Sequence, residues 1–303
     1  MPRLRRTMRR LTLLALMLAS IHSGLSHSAD AAPQALPATP DAAPDTTSAP
    51  REGAYRYRIS VDAPSPIRPL IESNVGLVRW QGFADMTAPL FDRLARDAIG
   101  EAKDAAAAPG WFSAHAEITV DNHQQPAVVT LTVTTGEPTR VRTVDVHVDG
   151  PAAIDVPTGT DAIARLQSDW RLPTGEVFSQ ARWTQAKSAS VSALAASGYA
   201  AARIDGSEAA IDPEALAADL RVTLGSGPLF HFGDMRIRGL DRFPPDLVLN
   251  FSTIRKGDPY DGQTLDQLVR RLNATGYFAS VQATIDANPA NAAEAPVDIA
   301  VIE

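Results

Sequence analysis

Few side chains in this chain have the types and spacing that catalysis or metal binding requires. Histidine, cysteine and paired carboxylates are the usual metal ligands, nucleophiles and proton carriers. The 303 residues include six histidines and no cysteine, which excludes disulfides and thiolate metal sites. Four histidines lie beyond the first 29 residues, without metal-ligand spacing among them: His115, His123, His147 and His231. We therefore predict no metal site and no cofactor.

The remaining polar clusters have structural explanations. His115 and Glu117 are two residues apart on the polar face of a predicted strand, where both are expected to be solvated. Three aspartates cross a predicted strand end and its loop, where aspartate commonly forms turns: Asp145, Asp149 and Asp155. The loop 225–230 lacks the third glycine of a dinucleotide loop and leads into a predicted strand. No G-x-S-x-G sequence occurs, and we predict that the chain is not an enzyme.

At three places, a glycine followed by an aromatic residue lies between a helical pattern and a strand-like one. The three pairs are Gly110-Trp111, Gly198-Tyr199 and Gly276-Tyr277. We interpret the glycines as helix C-terminal caps with positive φ. The aromatic residues are expected to plug the helix-to-strand corner, with contact to a bound peptide as the alternative. Such a repeat indicates an array of small modules.

Each copy also repeats the same helix start, in which a large apolar residue precedes a capping residue. The three starts are Met86-Thr87, Phe178-Ser179 and Tyr260-Asp261. The side chain of the second residue in each pair can accept a hydrogen bond from an amide of the first helical turn.

Apolar periodicity gives each module the order strand, helix, helix, strand, strand. We predict an α+β fold of three tandem modules, each with two helices packed on a three-stranded sheet. The predicted modules cover residues 54–137, 138–227 and 228–303. Leu94, Trp183 and Leu268 are expected on buried helix faces, and Trp170 within the first helix of the second module.

The N-terminal region has the composition of a targeting segment. Residues 1–31 combine five arginines with a short apolar run and small residues, which predicts a secretory signal peptide. Residues 32–53 are rich in Ala and Pro and are predicted to be a disordered linker. Without the first 29 residues the chain has 23 basic and 35 acidic residues, a net charge of about −12. Nucleic acid and anionic membranes are therefore poor partners.

The third module ends at Glu303, which corresponds to Leu224 at the end of the second. No alternating strands of about ten residues follow, so we expect no membrane barrel in this chain. The array is expected to be either a truncated product or a natural free-standing form.

The third module carries the most specific family pattern. The run from Gly257 to Asp261, the apolar helix from Leu265 to Leu272 and the sequence 276–278 resemble the POTRA domains of outer-membrane assembly proteins. A three-module array looks most like the TamA family, with BamA-like and two-partner-secretion regions as alternatives. The resemblance implies a location in the periplasm at the outer membrane. It also implies unfolded outer-membrane or autotransporter polypeptides as clients and a TamB-like protein as partner.

The leading hypothesis is a protein-binding scaffold that adds client strands to an open sheet edge. The POTRA resemblance implies that this edge comprises Phe278, Ala279, Ser280, Val281, Gln282, Ala283, Thr284 and Ile285. The alternatives are an exported hydrolase or small-ligand binding protein with a site between modules, and a structural spacer. A deep polar cavity would favour a small ligand, and shallow grooves beside sheet edges would favour the scaffold.

Overall fold

The computed structural model describes residues 54–303 together with the backbone of a two-residue strand, β1 (Leu11–Thr12). Apart from that strand, the predicted signal peptide and linker lie outside the described residues. The chain divides into two compact units. The first comprises the chain up to Arg140 with Val177–Gln180 and Ile211–Ala217, and the second comprises Val141–Glu176, Ala181–Ala210 and Ala218–Glu303.

The first predicted module contains one sheet and three helices. Its elements are β2 (Tyr57–Asp62), α1 (Arg68–Asn74), α2 (Gly76–Arg79), α3 (Ala88–Ala107), β3 (His115–Asp121) and β4 (Ala127–Thr134). The sheet has the order β2-β4-β3, with β4 parallel to β2 and antiparallel to β3. The Thr87 side chain accepts a hydrogen bond from the Leu90 N–H at 3.4 Å, which confirms the predicted cap of α3. The four-residue helix α2 was not predicted.

The second predicted module is built from β5 (Arg140–Asp149), a 3-10 helix (Pro151–Ala153), α4 (Thr158–Ser168), α5 (Gln180–Ala196), β6 (Arg203–Asp212) and β7 (Ala217–Gly225). Its sheet has the order β1-β6-β7-β5. The prediction that Trp170 belongs to the first helix is wrong, because α4 ends at Ser168. Trp170 is nevertheless buried, and its Nε1–H donates to the Leu172 carbonyl oxygen at 2.8 Å. The Trp170 indole is therefore buried because the loop after α4 turns it inward, and not because Trp170 lies on the buried face of a helix.

The third predicted module contains β8 (Phe232–Arg238), α6 (Pro245–Asn250), α7 (Gly262–Ala274), β9 (Ser280–Ile285), a 3-10 helix (Pro289–Glu294) and β10 (Ala295–Ile302). Its sheet has the order β8-β10-β9, with β10 parallel to β8 and antiparallel to β9. Helix α7 begins at the predicted cap, because the Asp261 carboxylate accepts hydrogen bonds from the N–H groups of Gln263 and Thr264.

The predicted fold class is confirmed: residues 54–303 form a mixed α+β structure with three sheets and helices between their strands. The second sheet has a fourth strand, β1, where three were predicted. Leu94, Trp183 and Leu268 are buried as predicted. In α7 the buried residues Leu265, Leu268 and Leu272 recur every three or four positions, so one face of the helix packs on the sheet.

Candidate functional site

The predicted binding strand lies at the edge of the third sheet. Strand β9 pairs with β10, the central strand of the order β8-β10-β9, and has no neighbour on its other side among the described residues. The strand starts at Ser280, two residues after the predicted start. The Ala279 N–H still donates to the Ile302 carbonyl oxygen at 2.7 Å, whereas the Phe278 side chain is buried in the core. Phe278 therefore anchors the strand rather than lining its edge.

The register of β9 shows which of its amides are available to a partner. The Asp286 N–H donates to the Pro296 carbonyl oxygen at 2.9 Å, one pair beyond the last pair of the strand. Since hydrogen-bonded pairs alternate along an antiparallel ladder, the amides of Gln282 and Thr284 point towards β10. The amides of Val281 and Ala283 then point away from the sheet. An extended peptide could use these outward groups.

Charge distinguishes β9 from the other outer strands. Within residues 54–303 the outer strands of the three sheets are β2, β3, β5, β6, β8 and β9. The sequence of β9, Ser-Val-Gln-Ala-Thr-Ile, contains no charged residue, whereas each of the others contains at least two. Charged side chains on an edge strand discourage pairing with another chain. Strand β9 lacks that protection, and it also lacks proline.

The first two glycine-aromatic corners are helix caps of one type. The Trp111 N–H donates to the Ala106 carbonyl oxygen at 3.0 Å, and the Gly110 N–H donates to that of Ala107 at 2.9 Å. The second corner repeats the pattern, with Tyr199 to Leu194 at 3.3 Å and Gly198 to Ala195 at 3.3 Å. Both glycines have positive φ, as predicted. This pair of bonds is the Schellman motif, which satisfies the last carbonyls of the helix.

The segments that follow these corners cover both of them. The Thr139 N–H donates to the Gly110 carbonyl oxygen at 2.9 Å, and the Phe178 N–H donates to the Thr139 carbonyl oxygen at 2.9 Å. Gly110 is buried, and a Cβ at that position would clash with the carbonyl oxygen of Phe178. Backbone hydrogen bonds therefore link three residues that are distant in sequence: the corner glycine, Thr139 just before β5, and Phe178 shortly before α5.

The same three-residue link recurs at the second corner. The Phe230 N–H donates to the Gly198 carbonyl oxygen at 2.9 Å, and the Tyr260 N–H donates to the Phe230 carbonyl oxygen at 2.8 Å. Gly198 is buried, and so are the rings of Tyr199 and Phe230. The Tyr199 hydroxyl donates to an Asp155 carboxylate oxygen at 2.8 Å. Burial, with that carboxylate, raises the pKa of Tyr199 well above its ordinary value.

The third corner also has a glycine with positive φ, but its hydrogen bonds and its surroundings differ from those of the first two. Gly276 has φ +71°, and its N–H donates to the Asn273 carbonyl oxygen at 3.4 Å. The Tyr277 N–H donates instead to the Thr275 hydroxyl at 3.2 Å. The Tyr277 side chain is 45% exposed, so the predicted corner plug applies to Tyr199 but not to Tyr277. Trp111 is intermediate and packs partly against the first core.

An open groove in the first module was not predicted. It has a volume of about 1080 Å³ and runs between α3 and the outer strand β3. Its apolar lining includes Phe91 and Ile99 from the helix and Ile118 and Val120 from the strand. The apolar residues of β3 and α3 are visible in the sequence, but the sequence does not show that β3 is an outer strand beside α3. A groove beside a sheet edge is the geometry expected of a scaffold.

The polar residues that are near one another in sequence do not come together in one site. His115 Nε2 lies 3.0 Å from Glu117 Oε1, and both side chains are about two-thirds exposed, as expected of a solvated pair. The three aspartates have separate partners: Asp145 pairs with Arg221, Asp149 with His147 and Asp155 with Tyr199. Within the described residues, no group of three or more His, Cys, Asp or Glu side chains could hold a metal ion.

No helix of residues 54–303 combines the length and apolar character needed to cross a bilayer.

The fold defines a class of protein: small α+β modules in tandem, each with a sheet and helices between its strands. Residues 230–303 match the model of the POTRA family, described as surface antigen variable number repeat. The third module is a POTRA domain, which confirms the resemblance for this part of the chain.

Individual relatives are similar over different extents. Over 53 residues the chain is 38% identical to outer membrane protein assembly factor BamA of Nitratidesulfovibrio vulgaris strain Hildenborough. That stretch covers 18% of this chain and only 7% of the relative. The chain is also similar to the crystal structure of Haemophilus influenzae BamA POTRA3-5, at 16% identity and a TM-score of 0.49, over 82% of this chain and 96% of that one. The chain is similar to CdiB from Acinetobacter baumannii at 12% identity and a TM-score of 0.27, over 55% of this chain and 30% of that one.

Proposed function

We propose that this chain is a periplasmic scaffold of an outer-membrane protein assembly or secretion factor and that it binds extended polypeptides by strand addition at β9. The POTRA domain of residues 230–303 supports the scaffold role. The relative from Nitratidesulfovibrio vulgaris is named as an outer membrane protein assembly factor. The predicted signal peptide supports export from the cytoplasm.

One observation supports β9 as the binding strand. It is an outer strand without a charged residue, and its amides at Val281 and Ala283 point away from β10. Pairing through backbone groups makes little demand on the client sequence. Such an edge suits a scaffold whose clients are many different unfolded chains.

The finer assignment follows the family resemblance. Three modules favour a TamA-like factor, for which the clients would be outer-membrane or autotransporter polypeptides and the partner a TamB-like protein. A BamA-like or two-partner-secretion scaffold would use the same edge chemistry. Pull-down of a TamB-like protein from a periplasmic extract by the full chain would support the TamA-like assignment, and failure to recover a TamB-like protein would contradict it.

Proline substitution tests strand addition, because proline removes one amide donor. In Ala283→Pro the lost N–H points outward, so we expect a folded protein with weaker binding of an extended peptide. In Gln282→Pro the lost N–H faces β10, so we expect a destabilised third module. The probe is a ten-residue synthetic peptide of alternating apolar and polar residues, and the measurement is fluorescence anisotropy with the full chain.

Ala283→Val is the matched control, since valine keeps the N–H and favours strands. We expect Ala283→Val to bind the peptide as the wild type does and Ala283→Pro to bind it about tenfold or more weakly. Unchanged binding by a folded Ala283→Pro protein would exclude strand addition at β9. In that event the groove between α3 and β3 would be the next site to test, through Val120→Lys at its rim.

A further inference from the structure

The groove between α3 and β3 is lined in part by the residues that precede β2. Ala54, Tyr55 and Arg56 all lie along it. The Tyr55 ring lies 4.4 Å from that of Phe91, and the Tyr55 hydroxyl donates to Asn122 Oδ1 at 2.7 Å. The chain therefore enters its first module through the wall of the groove, and the segment before Ala54 starts beside it.

The lining of this groove combines aromatic rings with two arginines that have no acidic partner. Tyr55 and Phe91 supply the rings. Arg56 and Arg96 are exposed, and within residues 54–303 neither forms an ion pair. The lining has a single acidic residue, Asp92. A segment that is apolar and acidic, without basic residues, therefore complements the groove.

Residues 32–50 of the same chain have this composition. They contain five prolines and two aspartates but no basic residue. Pro37 and Pro40 are three residues apart, which places both on one face of an extended polyproline helix. Grooves lined by aromatic side chains bind such segments. Asp41 and Asp45 supply the negative charge that the two groove arginines lack.

The segment is also long enough to return to the groove. The groove extends along α3 from Ala88 to Ile99, which is about 16 Å of helix. A polyproline helix rises about 3.1 Å per residue, so about five or six residues span this length. Residues 42–53 then remain for the return. A tether this short gives an effective concentration in the millimolar range, so a weak intrinsic affinity is enough to fill the groove.

We propose that residues 36–41, Leu36 to Asp41, occupy the groove between α3 and β3 as a ligand from the same chain. The prolines pack on Tyr55 and Phe91, and the Asp41 carboxylate pairs with one of the two groove arginines. Another chain reaches this groove only by displacing the segment. The inference comes from the lining of the groove and the composition of the segment, and it does not depend on strand addition at β9.

The absence of cysteine allows a single reporter thiol to test the proposal. Val120→Cys places the thiol in the groove, where the valine side chain is 37% exposed. The rate of reaction with N-ethylmaleimide is measured in residues 32–303 with the natural linker and with residues 36–41 replaced by Gly and Ser. We expect the replacement to raise the rate at Val120→Cys about fivefold or more, because the groove is no longer filled. Thr119→Cys is the matched control, since it is exposed on the opposite face of the same strand, and its rate should not change.

A charge variant and an added peptide separate specific binding from general coverage. Arg96→Gln should speed labelling at Val120→Cys, whereas Arg93→Gln, on the same helix but outside the groove, should not. Loss of a cation alone would slow a thiol, because the thiolate is the form that reacts. In the Gly and Ser variant, a synthetic peptide of residues 34–45 should restore protection, and the same peptide with Pro37→Gly and Pro40→Gly should not. Circular dichroism verifies that each variant is folded. Equal rates at Val120→Cys with both linkers, or equal changes at Thr119→Cys, would overturn the proposal.

Discussion

Gly110 and Gly276 both follow the end of a helix with positive φ but have different neighbours, which makes their substitution informative. Both have positive φ, where a side chain costs about 1 kcal/mol. We expect Gly276→Ala to lower the free energy of unfolding by about that amount, because the new Cβ meets nothing. Gly110→Ala should cost clearly more, since its Cβ would clash with the Phe178 carbonyl. Urea denaturation measures both, and equal losses would contradict the difference in packing.

Glu303 closes a loop of the third module through its carboxylate. The carboxylate accepts the N–H groups of Asp241, Arg242 and Phe243 at 2.8–3.1 Å and the Arg242 Nε–H at 3.2 Å. Desolvation alone would raise the pKa of Glu303, but these hydrogen bonds outweigh it and hold the pKa below its ordinary value. The charged form is therefore the one that the folded state favours.

The lowered pKa of Glu303 gives a pH prediction with a definite sign. The carboxylate stabilises the fold above its unfolded pKa, and this contribution is lost as the pH falls through the lower folded value. We expect Glu303→Gln to be less stable than the wild type at pH 7, with a difference that shrinks below about pH 4. Urea denaturation at a series of pH values measures it. A difference independent of pH would show that the carboxylate charge is not the cause.

Helix α7 depends on one buried face for its packing. Leu268 is 1% exposed and lies between Leu265 and Leu272 in the third core. We expect Leu268→Ala to lower the free energy of unfolding by about 2–5 kcal/mol, through lost burial and the cavity left behind. Gln267→Ala, at an exposed position of the same helix, is the control and should change it little. Similar losses in the two variants would mean that helix propensity, not packing, sets the stability of α7.

At the scale of the whole molecule, a strongly acidic chain has an uncharged outer strand, β9, at the proposed binding site. The predicted exported form has a net charge of about −12, but β9 has no charged residue. Backbone pairing at such an edge is screened little by salt. We therefore expect the affinity for the neutral probe peptide to change less than about twofold between 50 and 500 mM salt. A steep loss of affinity with salt, in the same anisotropy measurement, would point to charged contacts instead.

The sequence by itself determined the repeated elements. Local patterns specify local structure: the caps at Thr87 and Asp261, the positive φ of the corner glycines and the buried face of α7 all depend on residues a few positions apart. The order strand, helix, helix, strand, strand and the α+β class followed from the same periods. Trp170 was misplaced because an apolar residue just past a helix keeps the helical spacing without the helical backbone.

Only the tertiary structure decided which of these elements remain uncovered. Strand order joins residues far apart in sequence, so the groove between α3 and β3 became visible only when β3 was placed at a sheet edge. The three corners have the same local pattern, yet Tyr199 is buried and Tyr277 is exposed. Burial there depends on whether a distant linker packs on the glycine, as Phe230 does on Gly198. Exposure is a property of the assembled chain, and no short window of sequence contains it.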